Sequence, residues 1–170
     1  MLKHKSVSLI SVLMVTCASL SLAAMGVKWE KYANPSVGVE TELGVDWTKS
    51  QLSPCTNNSP ECSVEVFLPD MNGESGKIVF TRSLLTSSSD FEKMKEELKK
   101  TTNNITEATL GGLKGFKVHK VLSVMDLTRD FYNLQGKKLY WEVEFRGPTK
   151  IWPDLQPLFE HVREKLQFRE

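Results

Sequence analysis

From Lys138 to Arg146 the chain alternates without a slip: Leu139, Trp141, Val143 and Phe145 fall on one side, and Lys138, Tyr140, Glu142, Glu144 and Arg146 on the other. A period of two is the side-chain period of a β-strand, so one face enters a core and the other is wet or loosely covered. Such a strand is not stable alone. Its backbone N–H and C=O groups need partners on both edges, and the rest of the chain has to supply them.

The partners are legible as short runs joined by turns. Ser63 to Leu68 sets Val64, Val66 and Leu68 on one side, and Asn72-Gly73-Glu74-Ser75-Gly76 turns the chain into Lys77 to Leu85, where Ile78, Phe80 and Leu84 share a face. Two runs joined in this way form a hairpin. Ile105 to Leu110 and Leu113 to Leu122 flank Gly111-Gly112, with Phe116 and Val118 on one face of the second run. Met125 to Leu134 and Lys138 to Arg146 flank Gln135-Gly136-Lys137 as another hairpin. Upstream, Lys28 to Tyr32 leads into the turn signal Asn34-Pro35, and Val37-Gly38-Val39 with Val45 and Trp47 predicts a first strand or hairpin. Gln51 to Cys62, rich in Ser, Pro and Asn, reads as a loop.

Two segments change period. In the first, Ser89 caps a helix and Glu92 completes a capping box, with Phe91, Met94 and Leu98 as a narrow apolar stripe that ends at Asn103-Asn104. In the second, Pro153 opens a helix running to Leu166, and Leu155, Leu158, Phe159, Val162 and Leu166 make its stripe. The spacings predict that Trp141, Val143, Phe145, Phe80, Phe91, Phe159 and Val162 lie in one core. Hairpin-linked strands interrupted by helices imply an α+β fold, a twisted antiparallel sheet flanked by helices.

Residues 1–23 belong to another category. Lys3, His4 and Lys5 precede a charge-free, mostly apolar run from Ser6 to Ala18, and Ser21-Leu22-Ala23 supplies small residues for cleavage, the pattern of a signal peptide. The run is short for a membrane span. The alternatives are an uncleaved N-terminal anchor and lipid attachment at Cys17, which follows Leu13-Met14-Val15-Thr16. Cleavage leaves residues 24–170 as a single domain that is periplasmic or secreted, with 20 basic against 21 acidic residues. No field of one sign exists to attract nucleic acid, and a membrane partner is expected only with a lipidated Cys17. In an oxidising compartment, Cys55 and Cys62 are expected to form a disulfide. Asn57-Asn58-Ser59 and Asn104-Ile105-Thr106 are formal glycosylation sequons, meaningful only in a eukaryotic source.

Sites of known chemistry are sparse. Nucleophilic catalysis wants a Ser or Cys with a His base and an orienting acid, and neither His119 nor His161 lies in such a motif. His161 reads as a structural helix-surface residue. The cysteine pair lacks accompanying histidines, so no zinc pattern is present, and Gly111, Gly112 and Gly115 lack the spacing of a phosphate loop. Asp126 and Asp130 share a face of a predicted strand and read as solvated hairpin charges in place of a calcium site. The candidate partner-binding surface is the strand face assigned to Lys117, His119, Tyr140, Glu142 and Glu144, a mixed polar face with an aromatic.

Several segments resemble the PsbP-like superfamily, named for an extrinsic photosystem II subunit and shared by many small exported bacterial proteins. They are Trp29-Glu30-Lys31-Tyr32-Ala33-Asn34, then Gly38-Val39 and Trp47; Leu110-Gly111-Gly112-Leu113-Lys114-Gly115-Phe116; and Trp152 to Phe168. Asp46 stands where the family usually has a proline, and Gln167-Phe168 where it has Ser-Phe. The resemblance implies a twisted antiparallel sheet with helices on its faces and a non-enzymatic role in binding partner proteins or assisting assemblies. It transfers no binding residue to a numbered position. The expectation is therefore an exported, cofactor-free protein that binds another envelope or secreted protein. The alternatives are an extracytoplasmic enzyme or thiol-redox factor, and a lipid-anchored assembly factor.

Overall fold

The computed structural model describes residues 26–52, 60–84, 88–102 and 104–170, with the backbone alone for 88–90. The expected leader, Cys17, Cys55 and the sequon at 57–59 lie outside these residues. In chain order the elements are β1 (Trp29–Asn34), β2 (Val39–Gly44), β3 (Thr48–Gln51), β4 (Glu61–Phe67), β5 (Lys77–Leu84), α1 (Ser88–Thr101), β6 (Ile105–Leu110), β7 (Leu113–Leu122), β8 (Leu127–Gln135), β9 (Leu139–Pro148), α2 (Trp152–Lys165) and β10 (Gln167–Phe168).

The fold is α+β. A seven-stranded sheet runs β3-β4-β5-β9-β8-β7-β6, and a three-stranded sheet runs β1-β2-β10. Consecutive strands pair antiparallel, giving two meanders, β3 to β5 and β6 to β9. One non-local pairing joins them: Ile78 lies opposite Phe145 and Phe80 opposite Val143, across β5 and β9. The strand with the cleanest alternation in the sequence thus sits at the centre of the large sheet.

One face of that sheet is covered by α2 and the small sheet. Register places Val64, Val66, Ile78, Phe80, Leu134, Trp141, Val143 and Phe145 on this side, and all are at most 2 % exposed. Helix α2 meets them with Leu155, Leu158, Phe159 and Val162, each worth about 1.5–3 kcal/mol when fully buried. The helix lies very close to β9, because a Cβ built on Gly147 would stand 2.2 Å from Leu155 Cδ1. Trp141 Nε1 donates to the Val37 carbonyl at 2.8 Å, and Thr41 Oγ1 donates to the Val162 carbonyl at 3.0 Å, so the small sheet is tied to both other layers. Gly38, at φ +70°, closes the arrangement: Arg169 N–H donates to its carbonyl at 2.8 Å where a side chain would collide with the Arg169 carbonyl.

The opposite face carries α1. Phe91 packs on Phe116 and Val118, with Met94, Leu98, Ile105 and Phe131 around them. Phe91 therefore belongs to a second apolar cluster and not to the core of Trp141 and Phe159, which corrects the expectation of one core. Both faces of the sheet are covered, so apolar residues of either parity are buried.

Other boundaries differ from the sequence reading. The expected first strand or hairpin is the β1–β2 hairpin across Asn34-Pro35, whereas β3 and β10 are additional, short edge elements whose residues are set by pairing more than by alternation. Gln51 and residues 61 and 62 are strand residues, which shortens the expected loop at both ends. Leu84 has core-facing parity but lies at the end of β5 and is 51 % exposed. Helix α1 begins at Ser88, so Ser89 lies inside its first turn, and its side chain is outside what is described. Asp126 is not in β8. It holds the left-handed conformation, φ 44°, after a 3-10 turn at Ser123–Met125.

Candidate functional site

Cross-strand register decides which side chains meet. His119 on β7 is opposite Asp130 on β8, and Asp130 is opposite Phe145 on β9; Lys117 is opposite Tyr132, itself opposite Val143. Directly paired residues point the same way, so Lys117 and His119 lie on the α2 face of the sheet. Tyr140, Glu142 and Glu144 alternate with core residues Trp141 and Val143 and lie on the α1 face. The five residues assigned to one surface are thus split between two. The error has a physical origin: Phe116 and Val118 are buried by α1, so the apolar side of β7 is the reverse of the apolar side of β9.

On the α2 face, Lys117 and His119 converge on Asp130, which is 2 % exposed. Lys117 Nζ lies 2.7 Å from Asp130 Oδ2, His119 Nδ1 lies 2.7 Å from Oδ1, and Arg163 of α2 reaches Oδ2 at 3.2 Å. Arg163 also donates to the Tyr132 hydroxyl at 3.4 Å, pairs with Glu160 at 2.7 Å and lies over the Phe145 ring. Burial alone would push the Asp130 carboxyl up. Its bonds to Lys117 and His119, with the charges of Lys117 and Arg163, outweigh that and hold it below the ordinary aspartate value. Asp130 is therefore a buried hub and not a solvated hairpin charge, and Asp126, outside the strand, does not join it.

This hub floors a groove of about 430 Å³ between α2 and the β6 to β8 region, with Thr109 and Gly111 at one end and Gln156, Glu160 and Glu164 on the helix side. An ionised Asp130 accepts from His119 Nδ1–H, which directs Nε2 of the half-exposed imidazole away from the carboxylate. The arrangement offers a fixed ammonium, a guanidinium and an oriented imidazole to whatever enters. A hydrolytic triad would also need a nucleophile, and among the described residues no hydroxyl hydrogen-bonds to His119. No cluster of three or more His, Cys, Asp or Glu able to hold a metal occurs among the described residues.

The other half of the predicted surface is acidic. Tyr140 donates its hydroxyl to Glu142 at 3.3 Å. Burial, reinforced by the Glu61 and Glu144 charges, pushes the Glu142 carboxyl up; burial also raises Glu144, against the pull of Arg129. The Tyr140 hydroxyl is raised by burial and by the Glu142 charge.

His161 packs on the small sheet and is not a bare helix-surface residue. Its ring stacks on Trp29 at 3.8 Å between centroids, and its Nε2 meets Glu42 at 2.9 Å. Cys62 is fully buried at the start of β4. Sequence reasoning missed Asp130, Tyr132 and Arg163 as a group. One signal was available: Asp130 is in phase with Tyr132 and Leu134, so an acid stood at an inward position of a strand and required cationic partners.

No protein-family profile matches the sequence, and no curated protein matches it. Solved structures do. A chain from Bacteroides thetaiotaomicron superposes with TM-score 0.57 at 14% identity over 83% of this chain, which spans only 48% of that protein. LpqN, involved in cell envelope biogenesis of Mycobacterium tuberculosis, gives 0.51 at 15% identity, covering 85% of this chain and 92% of LpqN. Cyanobacterial PsbP (CyanoP) from Synechocystis sp. PCC 6803 gives 0.54 at 10% identity, covering 84% and 94%. Among the described residues, no helix is long and apolar enough to cross a membrane. At these identities the likeness establishes architecture and nothing finer: the chain has a PsbP-like α+β fold.

Proposed function

We propose that this protein is exported by cleavage of residues 1–23 and acts, without a catalytic centre, by binding another envelope or secreted protein through the groove beside α2. The observation that carries the reading is the Asp130 hub. A buried carboxylate that fixes Lys117, His119 and Arg163 gives the groove polar groups of defined position at little entropic cost on binding. The envelope role of LpqN supports the location.

Affinity capture from the envelope of the source organism tests it. His119→Ala and Lys117→Ala should lose the captured partner while Tyr140→Ala, on the other face, keeps it. Loss with Tyr140→Ala alone would move the contact to the acidic face. Mass spectrometry of the mature N-terminus distinguishes cleavage near Ala23 from a lipidated Cys17. The oriented imidazole of His119 favours one second reading, an extracytoplasmic enzyme, for which turnover abolished by His119→Ala is the requirement.

We also propose a structural disulfide between Cys55 and Cys62. The burial of Cys62 at the start of β4, a short run of residues after Cys55, supports the pairing expected from the sequence. Closing so short a loop is worth about 2.5 kcal/mol on the chain-entropy model, so reduction should lower the unfolding midpoint and leave the protein folded. Turnover of a disulfide substrate would instead place the pair in the thiol-redox class.

A further inference from the structure

The connection from β7 to β8 is built from the wrong residues for a solvated turn. Val121, Val124 and Met125 are 51, 102 and 69 % exposed, Leu122 and Leu127 are half-buried beside them, and none of the five joins either apolar cluster. The turn is braced. Asp126 N–H donates to the Ser123 carbonyl at 3.3 Å, Thr149 N–H donates to the Asp126 carbonyl at 3.1 Å, and Thr128 and Thr149 join hydroxyls at 3.0 Å. The apolar tip is held outward and has not frayed from the core.

Immediately behind it, cations line up across four strands on the α1 face. Lys120 pairs in register with Arg129, Arg129 with Arg146, and Arg146 with Lys77. Two carboxylates oppose the four. Glu144 lies 3.4 Å from Arg129 and 3.7 Å from Arg146, while Glu65 holds Lys77 and lies 3.5 Å from Arg146. Lys120 has no ion pair among the described residues. Asp126 on the turn, and Glu74 paired with Lys150, also lie at this end. A cleft of about 310 Å³ opens between Met125 and the Lys77 and Arg146 side chains.

We infer that this end of the large sheet docks on an anionic lipid bilayer, with Val124 and Met125 entering the acyl boundary and the cationic row facing the lipid phosphates. A bilayer asks for apolar side chains that project and for cations within a few ångströms behind them. Strand geometry puts Lys120 and Arg129 two residues back from the Leu122–Leu127 pair, roughly 7 Å. A protein partner is matched less well, because contacts of that kind centre on aromatic or arginine anchors in packed pockets, whereas the tip carries no aromatic and Arg129 and Arg146 lie in the row behind it, not at its apex. The contact requires no lipid on Cys17.

The test uses the processed protein recovered from an export host, with an environment-sensitive fluorophore on Val124→Cys, a position exposed enough for the fold to be kept. Vesicles of phosphatidylcholine containing phosphatidylglycerol should shift its emission toward that of an apolar medium, and vesicles of phosphatidylcholine alone should not. The same label on Lys114→Cys, toward the far end of β7, should remain in water. Lys120→Gln should weaken partitioning about fivefold, the loss expected for one basic residue near an anionic surface. A Val124 label that stays in water with both vesicles overturns the inference. So does equal burial of the Lys114 label, or burial of the Val124 label by lipid-free envelope protein alone.

Discussion

The two faces of the large sheet solve the same burial problem in different ways. On the α2 face, helix and small sheet together bury a continuous apolar layer from Val39 to Val162, with one ion cluster at its edge. On the α1 face, one helix touches the sheet through Phe91, Met94 and Leu98, and beyond it the surface is a field of paired charges. The difference teaches that α2 is part of the structural frame while α1 is an added cover. Amphipathic stripes of comparable spacing mark both helices in the sequence, yet what each stripe meets differs threefold in kind: a dry aromatic layer, a second sheet, or a small cluster at the sheet margin.

The largest expected effect breaks the comparison if it is absent. Trp141→Ala should cost about 4 to 5 kcal/mol, the upper end for aromatic truncation, because it empties a fully buried volume and orphans the Val37 carbonyl. Phe91→Ala should fall within about 0.5–3 kcal/mol and should speed amide exchange in α1 while leaving α2 protected. Equal costs in chemical denaturation would mean that the two clusters unfold as one layer.

The hub at the edge of the α2 face comes next. Asp130→Asn leaves Lys117 and Arg163 without their shared anion, which points to about 3 kcal/mol, the lower end for a broken buried pair because Lys117 is partly exposed and Arg163 retains Glu160. The wild-type carboxyl is held below its ordinary value. Its contribution is therefore present above about pH 4, the range of an unfolded aspartate, and is lost as pH falls through the folded value. Denaturation midpoints of the variant and the wild type should converge in acid. A constant gap across pH would assign the loss to packing.

The smallest effect tests the charged side of the α1 face. The Glu142 carboxyl is raised, so the folded state holds a proton more tightly than the unfolded chain, and stability falls as pH rises from the ordinary glutamate range toward neutrality. Glu142→Gln should remove that slope and raise the neutral-pH midpoint by a few degrees, with the advantage fading in acid. An unchanged slope would show that Glu142 is solvated in both states.

Strand and helix assignments were legible where one face of an element is apolar and the other carries polar side chains. The alternation of Leu139 to Phe145 and the spacing of Leu155 to Val162 carry their own period, and the hairpin order follows from turn residues at Asn72-Gly73, Gly111-Gly112 and Gln135-Gly136-Lys137. Strand β7 was legible as a strand but not in its orientation. Its pattern marks Phe116 and Val118 as the buried side, but α1 and α2 cover opposite faces of the sheet, and local pattern cannot say which helix that side meets. Strands β3 and β10 carried still less signal, because pairing to a neighbour decides short edge segments.

By itself, the sequence determined the class of fold, the antiparallel order of its hairpins and the charge-free leader pattern, since all three rest on periods and turn chemistry within a few residues. The tertiary structure alone decided which residues share a surface. The meeting of Arg163 with Asp130, 33 positions apart, and the lining up of Lys77 with Arg146, 69 positions apart, depend on register between strands and on where α2 lands. A one-residue slip of β8 would carry Asp130 to the α1 face, away from Arg163, and a one-residue slip of β9 would turn Arg146 toward α2, so the site is a property of register and not of local composition.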